Sequence, residues 1–289
     1  MVKGCYSRTP QRRALIYDWV ITMSLITATY GHGTENDFVI IYDPNGEIEL
    51  SERAIRSICN RQNGVGADGV IRIQQQNGKW FMDYRNADGS IAEMCGNGIR
   101  VMARYLVERD HQAAGIFPIL TRDGAKFISA PDSGDITVNM GQVAQVEGEI
   151  SASANGNSWS GYNINVGNPH AVVFVEDINQ VGDLAIAPSV SPDDAYPDGV
   201  NVEFVQFLES GELAMRVHER GVGETRSCGT GTCAVALAAT LKRNKRLPAK
   251  WVIHPPGGRL EVEIDAHSNA ILTGPAVLVK EVEIGAFLG

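Results

Sequence analysis

Short runs of β-branched and aromatic residues recur along the chain, separated by Gly, Asn, Asp and Ser. They predict strands at Phe38 to Tyr42, Val70 to Gln74, Ile136 to Met140, Ala171 to Val175, Val202 to Phe207 and Leu213 to Val217. Three stretches carry helical spacing instead. Ser51 to Gln62 opens on the polar cap Ser51-Glu52, whereas Ile99 to Glu108 and Thr232 to Lys242 each follow a Cys-Gly-x-Gly segment. Late strands at Leu260 to Ile264 and Ala276 to Ile284 close the chain, and one of them is expected to return to the first half.

Set against itself, the pattern repeats. Met94-Cys95-Gly96-Asn97-Gly98-Ile99 has a counterpart in Ser227-Cys228-Gly229-Thr230-Gly231-Thr232, 133 residues on, and Ala103 matches Ala236. Phe81 to Tyr84 precedes the first motif as Ala214 to Val217 precedes the second. Asn36-Asp37-Phe38-Val39-Ile40 aligns with Asn168-Pro169-His170-Ala171-Val172, and Asp68-Gly69-Val70 with Asp198-Gly199-Val200. Four matches in one order at nearly one spacing mark an internal duplication. Gly141 to Ser160, rich in Gly, Ser, Asn and Ala, reads as the junction between the copies.

Composition narrows the class. The chain has 289 residues, 44% hydrophobic and 20% charged, with 31 Gly and 12 Pro, which fits a folded protein of about two domains. A net charge of −9 without a long basic run argues against a nucleic-acid partner. Five cysteines, Cys5, Cys59, Cys95, Cys228 and Cys233, are an odd number spread too thinly for a disulfide framework. A reducing, cytoplasmic setting is expected. Lys3, Arg8, Arg12 and Arg13 before Ala14 to Ile26 loosely imitate a secretory signal, but Asp18 interrupts the run. Residues 1–23 are therefore expected to be an extension outside the core, and no other run is long enough to span a bilayer.

The repeated motif carries the chemistry. At a helix start, unpaired N–H groups and the helix dipole hold an anion and are expected to pull a thiol below its usual pKa of about 8.5. One such site points to a nucleophile; two on duplicated domains point to two thiols facing one carbon across a cleft. That arrangement suits stereoinversion, in which one thiolate removes an α-proton and the opposite thiol returns a proton to the other face. The alternative is that both cysteines simply pack, as free cysteines often do.

Further segments join these: Gly33-Thr34-Glu35-Asn36-Asp37-Phe38, Gly64 to Gly69, Asn86-Ala87-Asp88-Gly89-Ser90, Gly167-Asn168-Pro169-His170, Gly199-Val200-Asn201 and Glu219-Arg220-Gly221. With the two cysteine motifs, they make the chain resemble the diaminopimelate epimerase family over about residues 25 to 289. The resemblance implies an α+β fold of two pseudo-symmetric domains, each a mixed or antiparallel barrel-like sheet around a central helix, with the active site in the interdomain cleft. The boundaries expected are 24–144 plus about 275–289 for one domain and 145–274 for the other. By the same resemblance Cys95 and Cys228 are the two bases, and His170 and Glu219 tune them. Gly96, Asn97, Gly229 and Thr230 hold the reacting carboxylate, and Asn36, Asn86, Asn168, Asn201, Glu219 and Arg220 grip the rest of a small-molecule substrate. No cofactor or metal is implied, and a homodimer is expected.

Several residues also support these roles directly. A substrate with two zwitterionic ends needs a bidentate cation, such as Arg220, and neutral amides that repel neither charge. Glu219 and Arg220 read equally as a structural ion pair, and His170, in an apolar strand, as a satisfied core histidine. Two departures from the family stand out: Gly69 replaces a common Gln, and Thr34-Glu35 replaces the commoner Leu-Gly.

Gly64-x-Gly66-x-x-Gly69 matches a dinucleotide fingerprint only formally, because a helix precedes it and a strand follows. Cys228 and Cys233, five apart, lie on different helix faces, which argues against a metal site. None of the seven lysines has a setting that points to a pyridoxal cofactor. A related proline or hydroxyproline racemase, or a thiol redox protein with a Cys95–Cys228 disulfide, is the alternative. Asn97, where proline racemases typically carry His, and the Glu219-Arg220 pair argue against the racemase.

Overall fold

The structure, a computed structural model, describes residues 26–288. The N-terminal extension expected over residues 1–23, with its signal-like run and Cys5, lies outside the described residues.

The first half contains β1 (Thr27–Gly33), β2 (Asn36–Tyr42), α1 (Glu52–Cys59), β3 (Gly69–Gln76), β4 (Lys79–Asn86), α2 (Gly96–Glu108), β5 (Gly115–Thr121), β6 (Gly124–Ala130) and β7 (Ile136–Gln142). β8 (Ala144–Gln145) closes the first half, and the second begins with β9 (Ile150–Ala154), β10 (Asn157–Asn165), β11 (Pro169–Phe174), β12 (Ser189–Ser191), β13 (Asn201–Phe207) and β14 (Leu213–Glu219). It continues through β15 (Gly223–Thr225), α3 (Gly229–Lys242), β16 (Ala249–His254), β17 (Leu260–Ile264), β18 (Asn269–Gly274) and β19 (Val277–Glu283). The stretch expected to be a junction is largely strand: it holds β8, β9 and the start of β10, because its small residues are β-paired rather than looped.

The two halves share one pairing scheme. Antiparallel β1·β2, parallel β2·β3, antiparallel β3·β4 and parallel β4·β5 recur as β10·β11, β11·β13, β13·β14 and β14·β16. An antiparallel β7·β18 ladder joins the halves. Two strands are exchanged. β8 leaves the first half to pair with β10, and β19 leaves the second to pair with β1, which is the expected return of the last strand.

Register corrects one of the sequence matches. Phe38 pairs Gly69 as His170 pairs Asn201, so Gly69 corresponds to Asn201 and not to Gly199. Gly69 faces Asn86 across β3·β4, and Val202 faces His218 across β13·β14, so Asn86 and Glu219 do correspond.

The sheet of each half packs around its helix, α2 in one and α3 in the other. Every residue of α2 from Gly96 to Val107 is buried, and α3 is apolar nearly all round, as a helix enclosed by sheet must be. Each central strand has two buried faces. Phe38 and Ile40 turn to the core that contains α2, while Val39 and Ile41 turn to an outer core under α1. In the second half Val172 faces the helical core, and Ala171 and Val173 the outer one.

Candidate active site

Cys95 and Cys228 occupy the same local structure. Each sits in extended backbone (φ −136° and −123°) as the N-cap of its helix. The Gly98 N–H donates to Cys95 Sγ at 3.4 Å, and the Gly231 N–H to Cys228 Sγ at 3.3 Å. A sulfur cap thus replaces the usual oxygen one, leaving the remaining first-turn N–H groups for another acceptor.

The two helix starts abut. A Cβ on Gly229 would lie 3.1 Å from Gly96 Cα, and one on Gly96 would lie 3.4 Å from Gly229 Cα. Only glycines allow this approach. Both cysteines line one cleft of about 1040 Å³ between the halves, and no disulfide bridges them.

The flanking amides repeat the symmetry. Asn97 Nδ2 donates to Asn36 Oδ1 at 3.2 Å; their counterparts meet through Asn168 Nδ2 and Thr230 Oγ1 at 3.5 Å. Cys95 Sγ lies 3.7 Å from Asn36 Oδ1, and Cys228 Sγ 3.5 Å from Thr230 Oγ1. Asn36, Asn86, Asn97 and Asn168 line the cleft, as do Gly96, Gly229 and Thr230. Glu219 also lines it and accepts from the Thr225 hydroxyl. Arg220 is exposed at the rim, its Nη1 donating to Asp198 O at 3.2 Å. The structural ion pair envisaged between Glu219 and Arg220 is not formed.

Two expected residues lie behind the wall. Asn201 is buried, and its Oδ1 accepts from the Arg220 N–H at 2.9 Å, which orders that rim turn. His170 is fully buried, with Nε2 2.9 Å from Asn168 Oδ1 and Nδ1 2.6 Å from Glu203 Oε1. It therefore orients a cleft amide without touching the cleft.

The thiols overturn one expectation. Helix N-termini were expected to lower their pKa, yet burial pushes Cys95 up to about 11. Burial also raises Cys228 well above its usual value, and Glu219 and Glu203 add to it. The backbone N–H bonds pull the other way and are outweighed. Glu219 is itself raised, first by burial and then by Glu203. Burial thus keeps both thiols neutral, and a cationic group entering the cleft would favour ionisation.

Two contributors escaped the sequence reading. Glu203 is an acid inside the apolar run Val202 to Phe207, and its parallel register with Val172 sets it beside His170. Arg100 is a charge on a helix with no solvent face. In each case the signal was a charge where periodicity demands an apolar residue.

A sequence model of the family described as diaminopimelate epimerase matches residues 28–146 and 162–279. A curated diaminopimelate epimerase from Streptomyces coelicolor is 46% identical over 270 residues, covering 88% of this chain and 93% of the relative. One from Thermobifida fusca is 44% identical over 269 residues, covering 88% and 96%. Among solved structures, a probable proline racemase from Agrobacterium radiobacter superposes with a TM-score of 0.67 at 16% identity, covering 89% of this chain and 92% of the other. A Bacillus anthracis protein of the PhzF family gives 0.66 at 16%, covering 89% and 98%. At that identity the likeness concerns the α+β fold alone.

Proposed function

The chain belongs to the diaminopimelate epimerase family, and on that premise we propose that it is an isomerase interconverting LL- and meso-2,6-diaminopimelate, a step toward lysine and peptidoglycan precursors, by proton transfer between two thiols. One observation carries the mechanism: two helices capped by Cys95 and Cys228 meet through Gly96 and Gly229 at the floor of one cleft.

The substrate's reacting carboxylate sits on the paired first turns, where the N–H groups of Gly96, Gly229 and Thr230 are free to donate and the Asn97 N–H, which also acts on the Cys95 sulfur, adds to the same positive end. Its α-carbon then lies between the sulfurs. One thiolate takes the α-proton, leaving negative charge on the carboxylate that the two N-termini stabilise. The opposite thiol gives its proton to the other face, so its sulfur ends as the thiolate and the reverse reaction exchanges the roles. The substrate ammonium groups supply the positive charge that the raised thiols and Glu219 require. Asn36 and Asn168, related by the duplication, bracket the reacting centre, while Asn86, Glu219 and Arg220 meet the distal end and Asn201 holds the Arg220 turn. His170 acts through Asn168.

The test is deuterium wash-in at the α-carbon of diaminopimelate in deuterated buffer, beside proline, hydroxyproline and other amino acids. Wild type should label only diaminopimelate, and Cys95→Ala and Cys228→Ala should each abolish epimerisation. Normal turnover by either variant would sink the two-thiol mechanism, and labelling of proline instead would reassign the substrate.

Cytoplasmic residence is supported by four unbridged cysteines among the described residues. A homodimer is supported by Ile116 and Phe127, exposed apolar residues on one face of the β5·β6 hairpin. Sedimentation of wild type and an Ile116→Asp, Phe127→Asp variant measures it.

A further inference from the structure

The duplication is broken beneath the two thiols. Arg100 lies five residues after Cys95 in α2, and the residue five after Cys228 in α3 is Cys233. Arg100 has no solvent exposure, yet its partners are all neutral: Nη1 donates to Gly96 O at 3.0 Å, Nη2 to Asn97 Oδ1 at 3.0 Å and Nε to Pro275 O at 3.3 Å. No carboxylate of the described residues lies within ion-pair distance. Burying a cation this way carries a desolvation penalty of about several kcal/mol. The fold makes room for it: a Cβ on Gly33 would lie 3.2 Å from Nη2, and one on Gly274 3.5 Å from Cζ.

Both of its short bonds lead to the Cys95 side. The Gly96 carbonyl belongs to the peptide whose other end, the Asn97 N–H, acts on the Cys95 sulfur. A cation on that carbonyl polarises the unit and strengthens the donor at the far end. The second bond fixes the Asn97 amide, which in turn donates to Asn36 beside Cys95.

The opposite side is built with the other sign. Phe38 and Ile71 of the first half are replaced by His170 and Glu203. A Cβ on Gly231, whose N–H donates to Cys228 Sγ, would lie 2.7 Å from Glu203 Oε1, and Glu203 Oε2 has no partner. The charged or titratable groups around Cys228 are thus Glu203, His170 and Glu219; around Cys95 they are Arg100, Glu219 and Tyr84, and around Arg100 they are Cys95, Cys233 and Asp135, so Glu219 faces both thiols and the difference lies in Arg100 against Glu203 and His170.

We propose that Arg100 is a positioning residue of this site: its guanidinium polarises the Gly96–Asn97 peptide and fixes Asn97, giving the Cys95 side a built-in positive potential that the Cys228 side lacks. The two thiols of the duplicated site are therefore unequal before substrate arrives, with Cys95 the first to ionise. This rests on the reading of the pair as acid and base.

The test is the pH dependence of alkylation by iodoacetamide, followed at the Cys95 and Cys228 peptides by mass spectrometry, in wild type, Arg100→Met and Arg100→Lys. In wild type, Cys95 should ionise at lower pH than Cys228. In Arg100→Met the Cys95 midpoint should rise by about one pH unit, so that its alkylation at a fixed pH below the midpoint slows about tenfold, while the Cys228 midpoint stays in place. Arg100→Lys, which keeps the charge, should restore most of the difference. An unmoved Cys95 midpoint in folded Arg100→Met, or equal shifts at both thiols, overturns the proposal. If that variant does not fold, the wild-type order decides, since earlier ionisation of Cys228 refutes it. Alkylation needs no turnover, so its outcome is independent of α-proton exchange.

Discussion

Replacing Gly229 with Ala puts a methyl group where the two helix N-termini touch. Its Cβ would sit 3.1 Å from Gly96 Cα and 3.5 Å from Asn97 N, all backbone that no rotamer change can move. Carbon atoms settle at about 3.5–4.0 Å, so the helices must part by about 0.5 Å. Overpacking of this kind costs about 1–3 kcal/mol, which lowers the melting temperature by about 2–6 °C. The kinetic effect is larger in proportion, because the thiols are carried on those helices and errors near 1 Å in a reacting geometry cost about a hundredfold. A fall of about tenfold or more in kcat, with KM changed less, is expected in a coupled assay and in α-deuterium exchange. Gly96→Ala is the internal comparison. Its Cβ meets the flexible Met140 Cε at 2.9 Å first and Gly229 Cα only at 3.4 Å, so it should be milder in both measures. Wild-type turnover and melting for Gly229→Ala, or a harsher effect at Gly96, would refute the idea that the site is assembled on this contact.

Asp83 is buried among Arg72, Arg85 and Arg122, and although burial opposes ionisation these partners hold its carboxyl down at about 2. A depressed carboxyl stabilises the fold above its unfolded value and loses that contribution as pH falls, here about 2 kcal/mol surrendered between pH ~4 and ~2. Urea midpoints against pH should show that slope in wild type, and Asp83→Asn should be weaker at neutral pH and flatter in acid. Gly69→Gln, which would restore the residue common in the family, should be poorly folded by circular dichroism. Its Cβ would lie 2.5 Å from Arg85 O and 2.7 Å from Tyr84 Cε2, so a cooperative, wild-type melt would contradict the register at β3·β4. In a Cys5→Ser background, with Cys95 raised to about 11, Cys59 and Cys233 to about 12 and Cys228 well above its usual value, ultraviolet thiolate absorbance should stay flat below pH ~9; a step near neutrality would reverse the conclusion that burial outweighs the helix termini.

Much of this molecule was legible along the chain. The 133-residue recurrence of Cys-Gly-x-Gly, with Asn36 echoed by Asn168, revealed the duplication. Apolar runs located eight of the nineteen described strands to within two residues, because strands with buried faces leave little freedom in composition. The Cys-Gly-x-Gly segments predicted a thiol near each helix start; the helices begin at Gly96 and Gly229, three residues before Ile99 and Thr232, and that makes each sulfur the N-cap.

What escaped was decided by distance in space. The match of Gly69 to Gly199 failed because letters align by identity, whereas strands align by hydrogen bonds, and register makes Asn201 the true counterpart. The exchange of β8 and β19 lies in which half offers the free edge. The sign of the thiol shift needed tertiary structure most of all: a helix terminus acts on its own cap, but desolvation depends on everything packed around it. At Cys95 and Cys228 that surrounding, with Glu219 and Glu203 facing in, prevails. Arg100 and Glu203 look like misplaced charges in sequence. Only the fold places them under opposite thiols, because the field at each sulfur is set by groups that chain order scatters and packing gathers.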